Sequence, residues 1–216
     1  MLEPRPYVDR AEAGQVLAAE VRRHVEGENL VVLALPRGGV PVGLEVALAL
    51  EAPLDVFVVR KLGVPAQPEL AMGAIAPGGF RLLNETLIQD LGIMPREIEA
   101  VAARELEVLG ERETKYHADH AAVEVRNRAV VLVDDGLATG FTMRAAIAAN
   151  RQRGAARLIV AVPVGAVDTC DAITREVDLL ICPLQPEPFS AVGYWYRDFA
   201  PTSDDEVLAC LRAAPA

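Results

Sequence analysis

The sequence predicts an α/β fold: a mainly parallel, twisted sheet with helices on both faces. Short runs of apolar and β-branched residues alternate with longer amphipathic stretches along the 216 residues, which is typical of strand–helix–strand units. Two runs, 30–35 and 130–133, are apolar without interruption, as in strands buried on both faces. We expect a single domain over 1–216, because cores usually divide only above ~250 residues.

The composition indicates which classes of partner the protein is not expected to bind. The 31 Asp and Glu residues outnumber the 21 Lys and Arg residues, which gives a formal charge of −10. A nucleic-acid binder needs clustered positive charge, so no nucleic-acid partner is expected. No apolar run approaches the ~20 residues of a bilayer span, and the first residues lack the pattern of a secretory signal. We therefore expect no membrane partner and a cytoplasmic protein.

The first part of the chain is predicted to alternate helices and strands, at 9–26, 30–35, 41–50 and 55–59. The loop Pro36-Arg37-Gly38-Gly39 ends the first strand, and Pro41 suits the first turn of the helix that follows. The last of these strands is predicted to end at Arg60 and Lys61.

Residues 62–83 are predicted to form a lid. Between 62 and 79, prolines and glycines recur without periodicity, and 80–83 returns as a strand, so we expect a flexible loop or β-excursion. Loops of ~18 residues are uncommon in compact domains and often cover sites. Glu69 is the one ionisable side chain between 62 and 79. It is a candidate general base, with a solvated loop acid as the alternative.

The second half is predicted to continue with helices and strands. The segments are a helix at 84–91, a long helix from 95, a strand at 130–133, a helix ending near 154, strands at 158–164 and 179–182, and a helix at 167–175. The segment 183–216 is expected to form a small hood or tail, with a capping box of Ser203 and Glu206 that begins a last helix. Its aromatic run at 194–199 is expected to pack or to anchor a dimer, with a base-stacking platform as the alternative, and a homodimer is left open.

The residues suited to ligand binding or catalysis lie directly after the strand at 130–133. Asp134 and Asp135 follow this strand, and a loop of small residues then leads into a helix. Backbone N–H groups, hydroxyls and the helix dipole of such a loop favour a phosphate. The two carboxylates can accept hydrogen bonds from a sugar diol or hold the waters of a bound Mg²⁺. A loop without a ligand is the alternative interpretation of these residues.

Residues 130–142 resemble the 5-phosphoribosyl pyrophosphate (PRPP) signature of type I phosphoribosyltransferases. The run has four hydrophobic residues, two acids, two apolar or small residues and then Ala-Thr-Gly-x-Thr. Residues 35–39 are similar to the pyrophosphate loop of that family, and Arg60-Lys61 stand where members commonly place basic residues near the pyrophosphate. The resemblance covers roughly residues 12–185.

The resemblance implies an enzyme that binds PRPP and Mg²⁺, transfers the 5-phosphoribosyl group to a small nitrogenous acceptor such as a nucleobase, and releases pyrophosphate. The residues implied to hold the 5′-phosphate are Ala138, Thr139, Gly140, Phe141 and Thr142. Those implied to face the pyrophosphate are Arg37, Gly38, Gly39, Arg60 and Lys61. The catalytic candidates are Asp134, Asp135, Arg37 and Glu69. Mg²⁺ is expected to be held mainly through PRPP and water, with Asp134 and Asp135 as further candidates.

Departures from known branches bear on the acceptor. Ala138 stands where enzymes acting on 6-oxopurines carry Asp, so hypoxanthine and guanine are less expected, and the motif is closest to the adenine-type branch. Gly136 and Phe141 are unusual in that branch, so the acceptor stays unassigned. A non-catalytic regulator that senses PRPP on the same fold is the alternative function.

Overall fold

The computed structural model describes residues 6–25, 29–119 and 121–215. Its strands are β1 (Leu30–Ala34), β2 (Leu54–Val56), β3 (Arg60–Val64), β4 (Gln67–Ala76), β5 (Phe80–Leu83), β6 (Ala129–Val133), β7 (Arg157–Ala161) and β8 (Leu179–Ile181). Its α-helices are α1 (Arg10–Arg22), α2 (Gly39–Leu50), α3 (Glu85–Asp90), α4 (Pro95–Tyr116), α5 (Phe141–Gln152), α6 (Val167–Thr174) and α7 (Asp204–Ala213). None of the helices in the described ranges has the length and apolar character needed to cross a bilayer.

Five strands form a parallel sheet in the order β2-β1-β6-β7-β8. β1 and β6 are buried at every position. Alternate residues of β6 face opposite layers: Val131 and Val133 join the core that includes residues of α1, α2, α4 and α7, whereas Val130 and Leu132 join the core that includes residues of α5 and α6. The predicted α/β fold, a parallel sheet with helices on both faces, is confirmed.

The strand order places two loops side by side. β2 lies on one side of β1 and β6 lies on the other, so the direction in which the chain adds strands reverses between β1 and β6. Ala34 pairs with Val133 at the carboxyl ends of these strands. In open α/β sheets, ligands bind in the crevice at such a reversal. The loops that follow Ala34 and Val133 therefore flank this crevice.

The segment predicted as a lid is a second sheet, in the order β3-β4-β5 with antiparallel pairing. The sequence predicted either a flexible loop or a β-excursion for this segment, and the structure shows the β-excursion. Leu62, Met72 and Ile75 are buried in the core. The register shifts between Leu62 and Gly63 and again between Gly63 and Val64. Such irregularities break the alternation of period two that marks a strand in a sequence.

The end of the second predicted strand also differs from expectation. β2 stops at Val56, and Arg60 and Lys61 open β3 instead of ending β2. Phe57 and Val58 are apolar and pack on opposite sides of the central sheet, as strand residues do, and the Phe57 N–H group still donates to the Ala34 carbonyl oxygen at 2.9 Å. A continuous apolar run thus extended the predicted strand beyond its actual end.

Three predicted helix starts are confirmed by their caps. Asp9 accepts a hydrogen bond from the Glu12 N–H group, and Asn84 accepts one from Leu87. Ser203 and Glu206 form the reciprocal capping box at the start of α7. The predicted first helix, 9–26, ends at Arg22, and residue 26 lies outside the described residues.

A buried ion pair joins β2 to α4. Asp55 is 2% exposed, and its Oδ1 lies 2.9 Å from Nε2 of His117, just past the end of α4. The Val123 N–H group donates to Oδ2 at 2.8 Å. Despite burial, these hydrogen bonds hold the pKa of Asp55 below its usual value. The hydrogen bond to Asp55 raises the pKa of His117.

We predict that Asp55→Asn lowers the free energy of unfolding by about 3 kcal/mol near pH 6, because it removes the buried negative charge that faces His117. The raised pKa of His117 adds stability that is present below pH ~6.5 and is lost as the pH rises through the folded pKa. The lowered pKa of Asp55 adds stability that is present above pH ~3.8 and is lost on acidification. The free energies of unfolding of wild type and Asp55→Asn, measured in urea, should therefore differ most between about pH 4 and 6.5, and less at pH 9.

The matched control is Glu20→Gln, which breaks the exposed pair of Glu20 with Arg23. It should leave the unfolding midpoint unchanged at every pH, since exposed ion pairs contribute little. A loss in Asp55→Asn no greater than that in the control would show that the buried pair does not stabilise the fold.

Candidate functional site

The two loops of the crevice approach so closely that one of them must carry glycines. A Cβ atom built on Gly38 would lie 2.0 Å from Oδ2 of Asp135. A Cβ on Gly39 would lie 2.8 Å from the Val133 carbonyl oxygen and 2.9 Å from Cα of Asp134. The family resemblance implied that these glycines face a pyrophosphate. In the structure, their immediate neighbours are the acidic residues of the facing loop.

The acidic pair lies at the centre of the crevice. Oδ1 of Asp134 accepts a hydrogen bond from the Asp135 N–H group at 2.9 Å. Desolvation and the neighbouring Asp135 charge raise the pKa of Asp134 well above its usual value. Desolvation also raises the pKa of Asp135, although Arg10 opposes it. Carboxylates in this condition gain from hydrogen-bond donors or a cation, and sugar hydroxyls are such donors.

Two partners of the acidic pair were missed in the sequence. Arg10, at the start of α1, donates from Nε to Oδ2 of Asp135 at 2.9 Å. The Tyr196 hydroxyl donates to the carbonyl oxygen of Asp135 at 2.5 Å. No local motif marks Arg10, whereas Tyr196 belongs to the aromatic run at 194–199, for which no contact with the acidic pair was predicted. The expected C-terminal hood thus reaches the crevice through Tyr196.

The predicted phosphate loop surrounds a cavity of about 160 Å³ between β6 and α5. Asp134, Val192 and each residue from 136 to 143 line it. Gly140 has φ +71°, and a Cβ there would lie 2.7 Å from Cγ2 of Thr169. The first turn of α5 begins at Phe141, and its N–H groups have no acceptor within the helix. The cavity therefore has backbone donors and a helix N-terminus suited to an anion.

Gly136, which is unusual for the branch suggested by the motif, has a packing explanation. A Cβ at this position would lie 2.5 Å from Cγ1 of Val192. Val192 opens a short 3₁₀ turn, Val192–Trp195, in the C-terminal segment. This segment therefore forms part of the wall of the phosphate-loop cavity.

Arg37 lies at the rim of the crevice. Its peptide bond with Pro36 is cis. Its side chain is 42% exposed, and Nη1 lies 4.0 Å from Oδ1 of Asp204, the first residue of α7. Lys115 and Tyr116 donate to the same carboxylate and lower its pKa. Arg37 thus faces a carboxylate that already has two closer partners.

Arg60, Lys61 and Glu69 lie apart from the acidic pair. Arg60 pairs with Glu105 of α4 at 2.6 Å, and Lys61 pairs with Glu69 across the second sheet at 3.2 Å. The side chain of Glu69 is fully exposed. Both basic residues line a cleft of about 270 Å³ between the second sheet and α4, which shares no lining residue with the phosphate-loop cavity. The structure does not bring these three side chains to the crevice, and their roles stay predictions.

A comparison with protein families decides the assignment of the chain. The family model described as a phosphoribosyl transferase domain matches residues 9–178. The chain belongs to the phosphoribosyl transferase domain family. The match spans the Arg37 loop, the second sheet and the phosphate loop, so the resemblance of the motifs to this family is confirmed.

Similar proteins agree with this assignment. Two Mycobacterium tuberculosis proteins, from strains CDC 1551 / Oshkosh and H37Rv, carry the provisional name of phosphoribosyl transferase and are 44% identical over 208 residues. The match covers 96% of this chain and 47% of each relative, so the chain spans about half of their length.

Solved structures share the fold. The crystal structure of TT1426 from Thermus thermophilus is 37% identical, with a TM-score of 0.83, and the match covers 98% of this chain and 100% of that one. A hypoxanthine-guanine phosphoribosyltransferase from Bacillus anthracis is 14% identical, with a TM-score of 0.50, over 92% of this chain and 95% of that one. The second likeness is one of fold alone.

We predict that Gly38→Ala destabilises this phosphoribosyl transferase domain by about 1–3 kcal/mol, because the new methyl group overlaps Oδ2 of Asp135. Gly38 has φ −60°, which alanine adopts readily, so the cost comes from the contact and not from the backbone. Chemical denaturation measures the change.

Gly110→Ala is the matched control. Gly110 lies within α4, and a Cβ there would meet no atom within 4 Å. The same substitution should stabilise the protein by about 0.5–1 kcal/mol, because alanine favours a helix. If Gly38→Ala is as stable as wild type, the two loops are not as close as described.

Proposed function

We propose that this protein binds PRPP together with Mg²⁺ and transfers the 5-phosphoribosyl group to a nitrogenous acceptor, with release of pyrophosphate. The observation that carries the proposal is the meeting of an acidic pair, an anion cavity and the Arg37 loop at one crevice. PRPP is a ribose with a phosphate at one end and a pyrophosphate at the other. The cavity would take the phosphate, the acidic pair would bind the ribose, and the Arg37 loop would face the pyrophosphate.

The phosphate and ribose ends are supported by the geometry around β6. The cavity at 138–142 offers the 5′-phosphate the N–H groups of the first turn of α5 and the hydroxyls of Thr139 and Thr142. Asp134 lines the same cavity, so a sugar attached to that phosphate would extend over the acidic pair. The raised pKa values of both acids favour hydroxyl donors there. Holding the ribose at both ends would orient its reacting carbon for transfer.

The pyrophosphate end is supported by Arg37 and Gly38. Both residues belong to the loop on the other side of the crevice, and Gly38 lies directly against Asp135. Arg37 has the weakest pairing at the site, 4.0 Å from Asp204, so its guanidinium can turn to a leaving pyrophosphate. Developing negative charge on the leaving group would gain from this cation. Arg60 and Lys61 would have to exchange Glu105 and Glu69 for the pyrophosphate.

The two carboxylates of the crevice fit a magnesium ion that binds together with the substrate. The described ranges contain no cluster of three or more His, Cys, Asp or Glu side chains able to hold a metal. Mg²⁺ usually keeps several waters and is bound through substrate phosphates and one or two carboxylates. Asp134 and Asp135 would be those carboxylates, through water. When bound, the ion would neutralise part of the charge of the pyrophosphate.

The second sheet is proposed to act as the lid of the site. It carries Lys61 and Glu69, and Leu62, Met72 and Ile75 hold its base in the core. Residues 65–70 are exposed, so closure would be a movement of this exposed turn and not of the whole sheet. Closure would bring Glu69 toward the crevice and exclude water from the reaction.

We predict that wild type binds PRPP with Mg²⁺, as measured by calorimetry, and that Asp134→Asn/Asp135→Asn weakens this binding at least about tenfold. Gly140→Val should abolish it, because the side chain would collide with Thr169 and cannot adopt φ +71° without strain. Asp119→Asn, which breaks only an exposed pair with Arg212, is the control and should bind as wild type.

The same proteins distinguish the enzyme from a sensor. Release of pyrophosphate is measured with PRPP, Mg²⁺ and a panel of nitrogenous bases. Turnover with one of them supports a transferase and identifies the acceptor. Binding of PRPP without turnover would favour the non-catalytic regulator, and no binding would refute the proposed substrate.

We predict that Glu69→Gln lowers kcat about 100-fold, the scale of general base catalysis, while the Kd for PRPP stays near that of wild type. Glu69→Gln also removes the charge paired with Lys61, so Glu69→Asp, which keeps a shorter carboxylate, is the matched variant and should retain part of the activity. Protection of residues 62–83 from proteolysis by PRPP with Mg²⁺ would support closure. Normal turnover of the Gln variant would show that Glu69 is a solvated acid.

A further inference from the structure

Arg10 is remote in sequence from both loops of the crevice, yet it lies where they meet. Its Nε donates to Oδ2 of Asp135 at 2.9 Å, and the two side chains are only 12% and 15% exposed. A Cβ built on Gly38 would lie 3.3 Å from the same Nε. The guanidinium therefore contacts the acidic pair and borders the Arg37 loop.

The guanidinium is held on its other sides by the C-terminal segment. Its central carbon lies 4.1 Å from the centroid of the Phe199 ring, in a cation–π contact. Nη1 donates to the carbonyl oxygen of Ala200 at 2.8 Å. The Tyr196 hydroxyl binds the backbone of Asp135 itself. Arg10 is thus fixed by a ring and a carbonyl group, and Asp135 is fixed at both its side chain and its backbone.

Arg10 binds one carboxylate oxygen of Asp135 and does not bind the other. Among the described residues, the hydrogen bond that the Asp135 side chain makes with another residue is at Oδ2, which accepts from Arg10. A carboxylate anchored through one oxygen is restricted in rotation about its side-chain bonds. The second oxygen is then presented in one direction, as a group that binds a sugar hydroxyl requires.

We propose that Arg10 is a positioning residue for PRPP binding, acting through Asp135 by orienting the carboxylate that accepts a ribose hydroxyl. This inference rests on the proposed function. It makes the start of α1 and residues 196–200 part of the sugar site. The competing interpretation is that Arg10 only joins α1 to the C-terminal segment and supports the fold.

A double-mutant cycle separates the two interpretations. Calorimetry with PRPP and Mg²⁺ gives the Kd for wild type, Arg10→Gln, Asp135→Asn and the double variant. If Arg10 acts through Asp135, Arg10→Gln weakens binding about tenfold in wild type and hardly at all in Asp135→Asn. Arg10→Lys, which keeps the charge but not the planar stacking on Phe199, should recover part of the affinity.

Two controls identify a general structural effect. Binding of inorganic phosphate to the phosphate-loop cavity, followed by phosphorus NMR, should be the same in Arg10→Gln and wild type, since phosphate carries no ribose. Arg151→Gln removes an arginine at the far end of α5 that donates to the Glu176 carbonyl oxygen, and PRPP should bind to it as to wild type. If Arg10→Gln fails to fold, Phe199→Leu removes the ring beneath Arg10 and should give a smaller loss that again vanishes in Asp135→Asn.

The outcomes distinguish this inference from the proposed function. If wild type binds PRPP and the losses in the cycle add, or if phosphate binding falls together with PRPP binding, Arg10 supports only the fold and the inference is wrong while the proposed function stands. If wild type does not bind PRPP, the proposed function fails, and the inference fails with it.

Discussion

The close approach of two loops at the carboxyl ends of β1 and β6 is the constraint on which the site depends. The parallel register brings Ala34 beside Val133, so the chain segments that follow have to share one crevice. One loop can enter only with glycines, and the other presents two carboxylates to it. Because the carboxylates are crowded and partly desolvated, they need compensation, which Arg10 provides in part. The composition of both motifs thus follows from a single packing requirement.

The two ends of the chain complete this crevice. Tyr7 and Tyr196 form an isolated parallel bridge that joins the N-terminal and C-terminal segments, and their rings lie 5.7 Å apart. From this junction, Val192 covers Gly136 and the Tyr196 hydroxyl reaches the backbone after β6. α7 also contributes Asp204, which faces Arg37 and bonds to two residues at the end of α4. The C-terminal segment is therefore a structural part of the site and not an appendage.

The sequence predicted what is encoded locally and missed what depends on distant contacts. The buried strands, the helix caps and the order of the motifs each appear in a short stretch, such as 130–142, and all of these features are present. The second sheet resembled a loop in the sequence because bulges at Gly63 interrupt β3, and because burial along β4 changes from exposed at Gln67 to buried at Ala76 without alternating. Arg10 and Tyr196 were missed since their partner, Asp135, lies 125 and 61 positions away. Residues 26–28, between α1 and β1, lie outside the described part of the chain.

The pairing of the basic residues has a consequence for selectivity. Arg37, Arg60 and Lys61 each face an internal carboxylate, Asp204, Glu105 or Glu69. An anion that replaced a single carboxylate would exchange one ion pair for another and gain little. Arg60 and Lys61 line the same cleft, so a multiply charged anion that engaged both would gain through chelation, because the entropic cost of immobilising it is incurred only once. In a chain with a net charge of −10, pairing of these two cations with the chain's own carboxylates would thus favour a polyanion over a singly charged anion in that cleft.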